Sequence, residues 1–155
     1  MPIDLQELNE FIVRAKAATY VGDGKSALPC RPGSHDLRFA DGPWEYLDSY
    51  FGGSDFLGQE TVYFAGQPVW AMNYYGRILR DDLIDAARAG AMIKASLTRM
   101  YQQGRFLGGF EHTQDGLTYI DSSDGAADHF HGREFIRRGQ EIAYELVYHG
   151  GLIRD

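Results

Sequence analysis

Two acids, Asp48 and Glu60, are the first residues in this sequence that could do chemistry. Asp48 shares one face of a predicted strand with Tyr50, and Glu60 opens the neighbouring predicted hairpin. Paired carboxylates of this kind can act as general acid and general base on glycosides or phosphate esters. Both acids recur later in the chain, as Asp121 and Glu134. The recurrence favours a structural task, such as accepting backbone amides in the glycine-rich turns or pairing with arginine.

A second group of polar residues follows one strand of the same region. Asn73, Tyr75 and Arg77 alternate along a predicted strand, and His149 occupies the matching strand near the C-terminal end. Two donors, a phenol and an imidazole suit an anionic or aromatic small ligand, with Arg77 as the charge partner. The alternative, an exposed sheet face that carries polar side chains, stays open. We therefore expect ligand-binding residues among both groups and assign no residue as catalytic.

Other motifs carry less weight. His129 and His131 could bind a metal together with a carboxylate, but no third ligand has a diagnostic spacing, so neither a metal nor another cofactor is predicted. The segment from Gly22 to Lys25 imitates the end of a phosphate-binding loop, but it follows a predicted helix where such a loop follows a strand. Cys30 has no partner at a readable spacing and is interpreted as a small buried or inert thiol.

The elements that position these residues are two helices and a series of hairpins. Apolar residues at helical spacing predict helices over about Asp4–Ala18 and about Asp81–Gln103, with Gly90 as a point where the second could break. Aromatic and β-branched runs separated by glycine-containing turns predict four hairpins. Their paired strands are Leu37–Ala40 with Glu45–Tyr50, Thr61–Ala65 with Val69–Tyr75, Phe106–Thr113 with Leu117–Asp121, and Phe135–Arg138 with Ile142–His149.

The chain also resembles itself. At a shift of 73 positions Tyr46 meets Tyr119, and after one inserted residue Tyr74 meets Tyr148. We therefore predict an internally duplicated α-β-β-β-β unit, with half-repeats over about 1–79 and 80–155. The fold class is α+β: about eight antiparallel strands in one curved sheet or two nearly closed sheets, covered by two main helices and related by a pseudo-twofold axis. A cleft between the halves is the expected ligand site.

Composition limits the classes of protein that fit. With 155 residues, 44% of them apolar, the chain is expected to form one domain with a substantial core. The net charge of −7 argues against direct nucleic-acid binding. No run approaches the ~18 apolar residues of a membrane span, and a single cysteine fits a reducing compartment. We expect a cytoplasmic protein with no membrane partner.

Several longer motifs carry a resemblance. They are RPGSHDL (31–37), YLDSYFGG (46–53), FLGQE (56–60), PVWAMNYYG (68–76) and YHGGLI (148–153). The chain resembles a bacterial family described as a domain of unknown function, which also occurs behind an XRE-type helix-turn-helix. The resemblance implies a ligand-sensing or effector module and no assigned activity.

Three functions remain as expectations. The first is a small-molecule-binding or sensory module with its cleft between the half-repeats. The alternative is a small hydrolase or isomerase that uses Asp48 and Glu60 as an acid–base pair with His149. The third is a homo-oligomeric interaction module, a homodimer formed through exposed strand edges.

Overall fold

A computed structural model describes residues 2–19 and 26–155. The segment from Gly22 to Lys25, which imitates a phosphate-binding loop, lies outside the described residues. The elements are α1 (Leu5–Thr19), β1 (Ser26–Ala27), β2 (His35–Asp41), β3 (Trp44–Gly52), β4 (Phe56–Phe64), β5 (Gln67–Ile78), α2 (Ala86–Gln102), β6 (Phe110–Gln114), β7 (Leu117–Ala126), β8 (His129–Arg138) and β9 (Glu141–Leu152).

The strands form one open antiparallel sheet. Their order is β1-β2-β3-β4-β5-β9-β8-β7-β6, so the strands of each hairpin lie side by side and β5 pairs with β9 at the centre. This confirms the predicted α+β class with two helices, and it decides between the two predicted arrangements in favour of a single sheet. The eight predicted strands are present, and the two-residue β1 is a ninth at one edge.

The first helix, predicted from about Asp4, begins at Leu5 with Asp4 as its cap. The Asp4 carboxylate accepts hydrogen bonds from the backbone N–H groups of Gln6 and Glu7, at 2.8 and 3.0 Å. These bonds satisfy donors that the first turn leaves without a helical partner. The helix then runs to Thr19, one residue beyond the predicted end.

The second helix begins later than predicted. It starts at Ala86 rather than Asp81, because Asp85 is extended and caps the helix by accepting from the Arg88 N–H at 2.8 Å. The helix passes through Gly90 without interruption, so the predicted break does not occur. Packing of one face on the sheet outweighs the cost of one helical glycine, about 1 kcal/mol.

One predicted strand is shorter than expected. The sequence predicts a strand over Phe106–Thr113, whereas β6 begins only at Phe110. Gly108 and Gly109 have φ values of 99° and 86°, which extended strands do not adopt. Phe106 therefore belongs to the connection after α2, where its ring is 7% exposed and packs under the helices.

Both helices cover the same face of the sheet. On β5 the side chains of Trp70, Met72 and Tyr74 are buried, while Asn73 and Tyr75 are exposed. β9 alternates in the same way, so one face of the sheet carries the core and the other is exposed. Each large apolar side chain buried here contributes ~1.5–3 kcal/mol of transfer free energy.

The register at the centre of the sheet is symmetric. Tyr74 lies opposite Tyr148, Trp70 opposite Leu152, and Ile78 opposite Tyr144. A pseudo-twofold axis between the tyrosines would produce this pairing, and descent of the halves from one duplicated unit stays a prediction. Neither described helix has the length and apolarity needed to cross a membrane.

Candidate functional site

A small cavity lies between the helices and the middle of the sheet. Its volume is about 50 Å³, enough for about three or four water molecules. Both helices, the connection after α2 and five strands contribute side chains to it. The polar lining includes Lys16, Glu60, Asp121 and Glu134, and the apolar walls include Leu97 and Phe106. We call this cavity the chamber.

Glu60 is held by a buried lysine. The Lys16 ammonium donates to both carboxylate oxygens of Glu60, at 2.8 and 2.9 Å, and Tyr46 donates its hydroxyl to one of them. The two charged side chains are only 7% and 8% exposed. In such a pair each charge neutralises the other, and removing one partner would leave the other charge buried without a counter-ion. Sequence reasoning missed Lys16, although it lies four residues after Ile12 on the apolar stripe of α1.

Asp48 lies opposite Glu60 on the adjacent strand. Its Oδ1 accepts a hydrogen bond from the Tyr74 hydroxyl at 2.6 Å. Burial is the larger cause and the nearby charge of Glu60 the second; together they raise the pKa of Asp48 to about 7. Tyr50 lies on the same face near the sheet rim, and burial followed by the charge of Asp48 raises the pKa of its hydroxyl.

The second half of the chain repeats these contacts. Asp121 lies opposite Glu134 on β7 and β8. Tyr148 donates to Asp121 Oδ1 at 2.7 Å, and Tyr119 donates to Glu134 Oε1 at 2.7 Å. The other carboxylate oxygen of Asp121, Oδ2, is buried without a hydrogen-bond partner among the described residues. This is an exception to the rule that buried polar atoms are paired.

The carboxyl groups of the second half hold protons more tightly than usual. Burial raises the pKa of Asp121 to about 6. Burial, followed by the charge of Asp121, raises the pKa of Glu134 to about 8. The charge of Lys16 acts to lower both pKa values, and the charge of Arg105 acts to lower that of Asp121. Neither effect is as large as that of burial.

Two glycines allow the tyrosines to reach their aspartates. A Cβ atom at Gly58 would collide with the Tyr74 ring, and a Cβ atom at Gly132 would collide with the Tyr148 ring. Each glycine is the strand neighbour of its tyrosine. Each phenol therefore lies across the glycine of the adjacent strand, and its hydroxyl reaches the aspartate on the strand beyond that one.

The helices break the symmetry between the halves. Five buried residues of each helix follow the same spacing: Leu8, Phe11, Ile12, Ala15 and Lys16 on α1, and Ala89, Met92, Ile93, Ser96 and Leu97 on α2. In this comparison Leu97 takes the position of Lys16. Glu60 therefore has an ammonium partner, whereas a leucine lines the chamber on the side of α2.

The remaining predicted residues lie on the opposite face of the sheet. Asn73 is opposite His149, both are exposed, and Asn73 Oδ1 accepts from the Gln59 amide at 2.9 Å. Arg77 forms an ion pair with Glu145 at 3.1 Å, which compensates its charge. Tyr75 is 42% exposed on this face. The sheet thus brings Asp48, Tyr50 and Glu60 together beneath the helices and separates them from Asn73, Tyr75, Arg77 and His149.

The histidine pair lies outside the chamber. His131 is exposed and contacts the Asp124 carboxylate at 3.3 Å. Within the described ranges, no three His, Cys, Asp or Glu side chains are close enough together to hold a metal ion.

Comparison with known proteins identifies the family. Residues 48–153 match the family described as Domain of unknown function (DUF5680), so the chain belongs to that family. The match begins at Asp48 and includes both aspartate–tyrosine pairs, Glu60 and Glu134. No curated protein and no solved structure matches the chain significantly.

Proposed function

We propose that this member of the DUF5680 family is a small-molecule-binding module whose site is the chamber between the helices and the sheet. The observation that carries the proposal is Asp121 Oδ2, a buried carboxylate oxygen without a hydrogen-bond partner among the described residues, on a residue that lines the chamber. A buried acceptor of this kind gains most from a ligand that supplies the missing donor.

The walls of the chamber support the same proposal. Leu97, Phe106 and Leu146 provide apolar and aromatic surface beside the few polar groups. This combination is typical of small-molecule sites, in which apolar surface supplies binding energy and a few polar atoms fix orientation.

A melting screen tests the proposal. The wild-type protein is heated with single compounds from a library of small neutral, anionic and cationic molecules. A ligand at 100 times its Kd stabilises by about 2.7 kcal/mol, which corresponds to a rise of ~5–10 °C in Tm for a chain of this size.

Two variants show where a stabilising compound binds. Leu97→Phe narrows the chamber, and Val147→Phe makes a similar enlargement on the exposed face, where Val147 is 49% exposed. Ligand stabilisation is expected to disappear in Leu97→Phe and to persist in Val147→Phe. A library without any stabilising compound, or stabilisation that survives in Leu97→Phe, contradicts the proposal.

An acid–base enzyme is the second candidate. The pKa values of Asp121, about 6, and Glu134, about 8, lie on either side of neutrality, as acid–base pairs require. Of the two carboxyl pairs, this one is the better candidate, because both oxygens of Glu60 already accept hydrogen bonds from Lys16.

Chromogenic glycosides and phosphate monoesters test the second candidate. If the chain hydrolyses one of them, Asp121→Asn is expected to remove turnover and Asp48→Asn to retain part of it. If Asp48→Asn instead loses turnover and Asp121→Asn retains it, the acid–base pair is Asp48 and Glu60, as the sequence predicts. An absence of turnover on both substrate classes removes the hydrolase candidate.

A homodimer through a strand edge is the third candidate. β6 is the longer of the two edge strands, and an edge presents backbone groups that a second copy can pair with. Light scattering is then expected to give twice the chain mass of 17.4 kDa. A mass equal to one chain at high protein concentration contradicts the dimer.

A further inference from the structure

We infer that the ligand of the chamber is a small organic ammonium ion, and that its charged nitrogen lies beside Asp121 and Glu134. This inference rests on the proposed function and names the chemical class of the ligand. It starts from the charges that line the chamber. Glu60, Asp121 and Glu134 contribute three carboxyl groups, and among the described residues Lys16 is the only cationic side chain of that lining.

The single lysine is already engaged. Both oxygens of Glu60 accept from the Lys16 ammonium, at 2.8 and 2.9 Å. Asp121, which is 5% exposed, has one oxygen bound by Tyr148 and the other without a partner among the described residues. The unpartnered oxygen is an observation independent of the charge count, and both indicate a missing cationic donor.

Comparison of the halves shows where that donor belongs. Lys16 on α1 donates its hydrogen bonds to Glu60 of the first half, and Leu97 takes the corresponding position on α2. The chamber lies against Leu97. An ammonium ion from solution would therefore give Asp121 and Glu134 what Lys16 gives Glu60.

The size and walls of the chamber limit the rest of the ligand. A volume of about 50 Å³ has room for about three or four water molecules, and so for a ligand of about three or four non-hydrogen atoms. Phe106 lines the chamber with its ring centroid 5.5 Å from the Lys16 ammonium, so the wall beside the charged groups is aromatic. Leu146 and Met72 offer apolar contact to a short alkyl chain. An anion would instead lie against the carboxyl groups of the chamber, whose neighbouring cation, Lys16, is already bound to Glu60.

Binding of an ammonium ion is expected to release protons near neutral pH. Asp121 and Glu134 face each other and also face Tyr148, Tyr119, Tyr101, Lys16, Glu60 and Arg105 from the surrounding elements. A new positive charge favours the ionised carboxylates, whose pKa values are about 6 and about 8 in the free protein. The heat of binding should then depend on the ionisation enthalpy of the buffer.

The experiment compares matched probes in calorimetry and in ¹H–¹⁵N NMR titration. The cationic probes are methylammonium and n-propylammonium, and the neutral and anionic probes are n-propanol and propionate. At least one ammonium probe is expected to bind with saturation and proton release, and at least tenfold more tightly than n-propanol or propionate.

Two carboxyl variants locate the charged contact. Asp121→Asn is expected to weaken ammonium binding at least tenfold. Asp124→Asn is the matched control, because Asp124 lies on the same strand with its side chain 84% exposed, and it is expected to bind as wild type. Equal binding by wild type and Asp121→Asn overturns the inference.

A third variant supplies the ammonium from the protein itself. Leu97→Lys is expected to place a charged nitrogen in the chamber, abolish ammonium binding and lower the pKa of Glu134, measured by ¹³C NMR of its carboxyl carbon. Leu97→Met, neutral and of similar volume, is expected to retain binding. Undiminished binding of ammonium probes to Leu97→Lys overturns the inference.

The outcomes separate this inference from the proposed function. If n-propanol, propionate or a neutral library compound binds in the chamber and no ammonium probe does, the function stands and the ligand class is wrong. If no probe and no library compound binds, both are wrong.

Discussion

Tyr74 and Tyr148 lie directly opposite each other at the centre of the sheet, and each donates a hydrogen bond to an aspartate of its own half. The distances are nearly the same, 2.6 Å to Asp48 and 2.7 Å to Asp121. The strands are antiparallel, so opposed residues point to the same face of the sheet. From there Tyr74 extends toward the first half and Tyr148 toward the second. The difference between the halves therefore lies in the helices above them, at Lys16 and Leu97.

Removing the buried lysine should destabilise the fold. Lys16→Met leaves Glu60 buried without its ammonium partner, which typically costs ~3–5 kcal/mol. Urea unfolding at pH 7 measures the loss. The double variant Lys16→Met/Glu60→Gln removes both charges and should recover most of it, since Tyr46 can still donate to the amide oxygen. A single variant as stable as wild type would contradict this assignment.

Stability should fall as the pH rises through neutrality. The pKa values of Asp121, Asp48 and Glu134 are raised in the fold to about 6, 7 and 8, against about 4 in an unfolded chain. The folded protein then binds more protons than the unfolded chain between these limits. Stability from these groups is fully present below pH ~4 and is lost as the pH passes their folded values.

Asp36 acts in the opposite direction, as do Asp82 and Glu145, whose pKa values are lowered first by hydrogen bonds from Arg80 and Arg133 respectively. Burial acts to raise the pKa of Asp36, but hydrogen bonds involving Cys30, Ser34 and Ser49 outweigh it and lower the value to about 2. Its contribution is lost as the pH falls through that value, so maximum stability is expected near pH ~4–5. Thermal unfolding from pH 3 to 9 measures the profile. Glu134→Gln should flatten the decline above pH 6, and an unchanged slope in this variant would count against the buried carboxyl groups as its cause.

The glycine beneath Tyr148 should not tolerate a methyl group. Gly132→Ala forces the phenol away from Asp121 and should cost ~1–3 kcal/mol. Gly90→Ala is the matched control, because nothing lies within 4 Å of the added methyl group and alanine favours the helix by up to ~1 kcal/mol. Chemical denaturation of both variants decides the point, and equal stability of the two would refute it.

The polar residues of the exposed face should be dispensable for binding in the chamber. Arg77→Gln and His149→Gln are expected to change stability by less than ~1 kcal/mol, as exposed charges do. Ligand-induced shifts in Tm should match those of wild type. If either variant loses them, the site lies at Asn73, Tyr75, Arg77 and His149, as the sequence first suggested, and the chamber proposal is wrong.

The sequence by itself determined that there are two helices and four hairpins, and that the acids recur. Local signals were sufficient for these, because glycine-containing turns and alternation of period two act within a few residues. Ala65 and Gly66 at one hairpin, and Asp115 and Gly116 at another, adopt the positive φ values that a tight hairpin turn requires. The repeat also pointed to Asp48, Glu60, Asp121 and Glu134 as a related set.

Only the tertiary structure decided which residues share a site. Lys16 reads in the sequence as a charged residue on an amphipathic helix, and its role depends on Glu60, 44 positions away. Leu97 lines the same chamber as Lys16 only because α1 and α2 pack on the same face of the sheet. The sheet also placed Asp48 and Glu60 on one side and Arg77 and His149 on the other. Contacts between distant segments decide these relationships, and the periodicity of one segment carries no information about them.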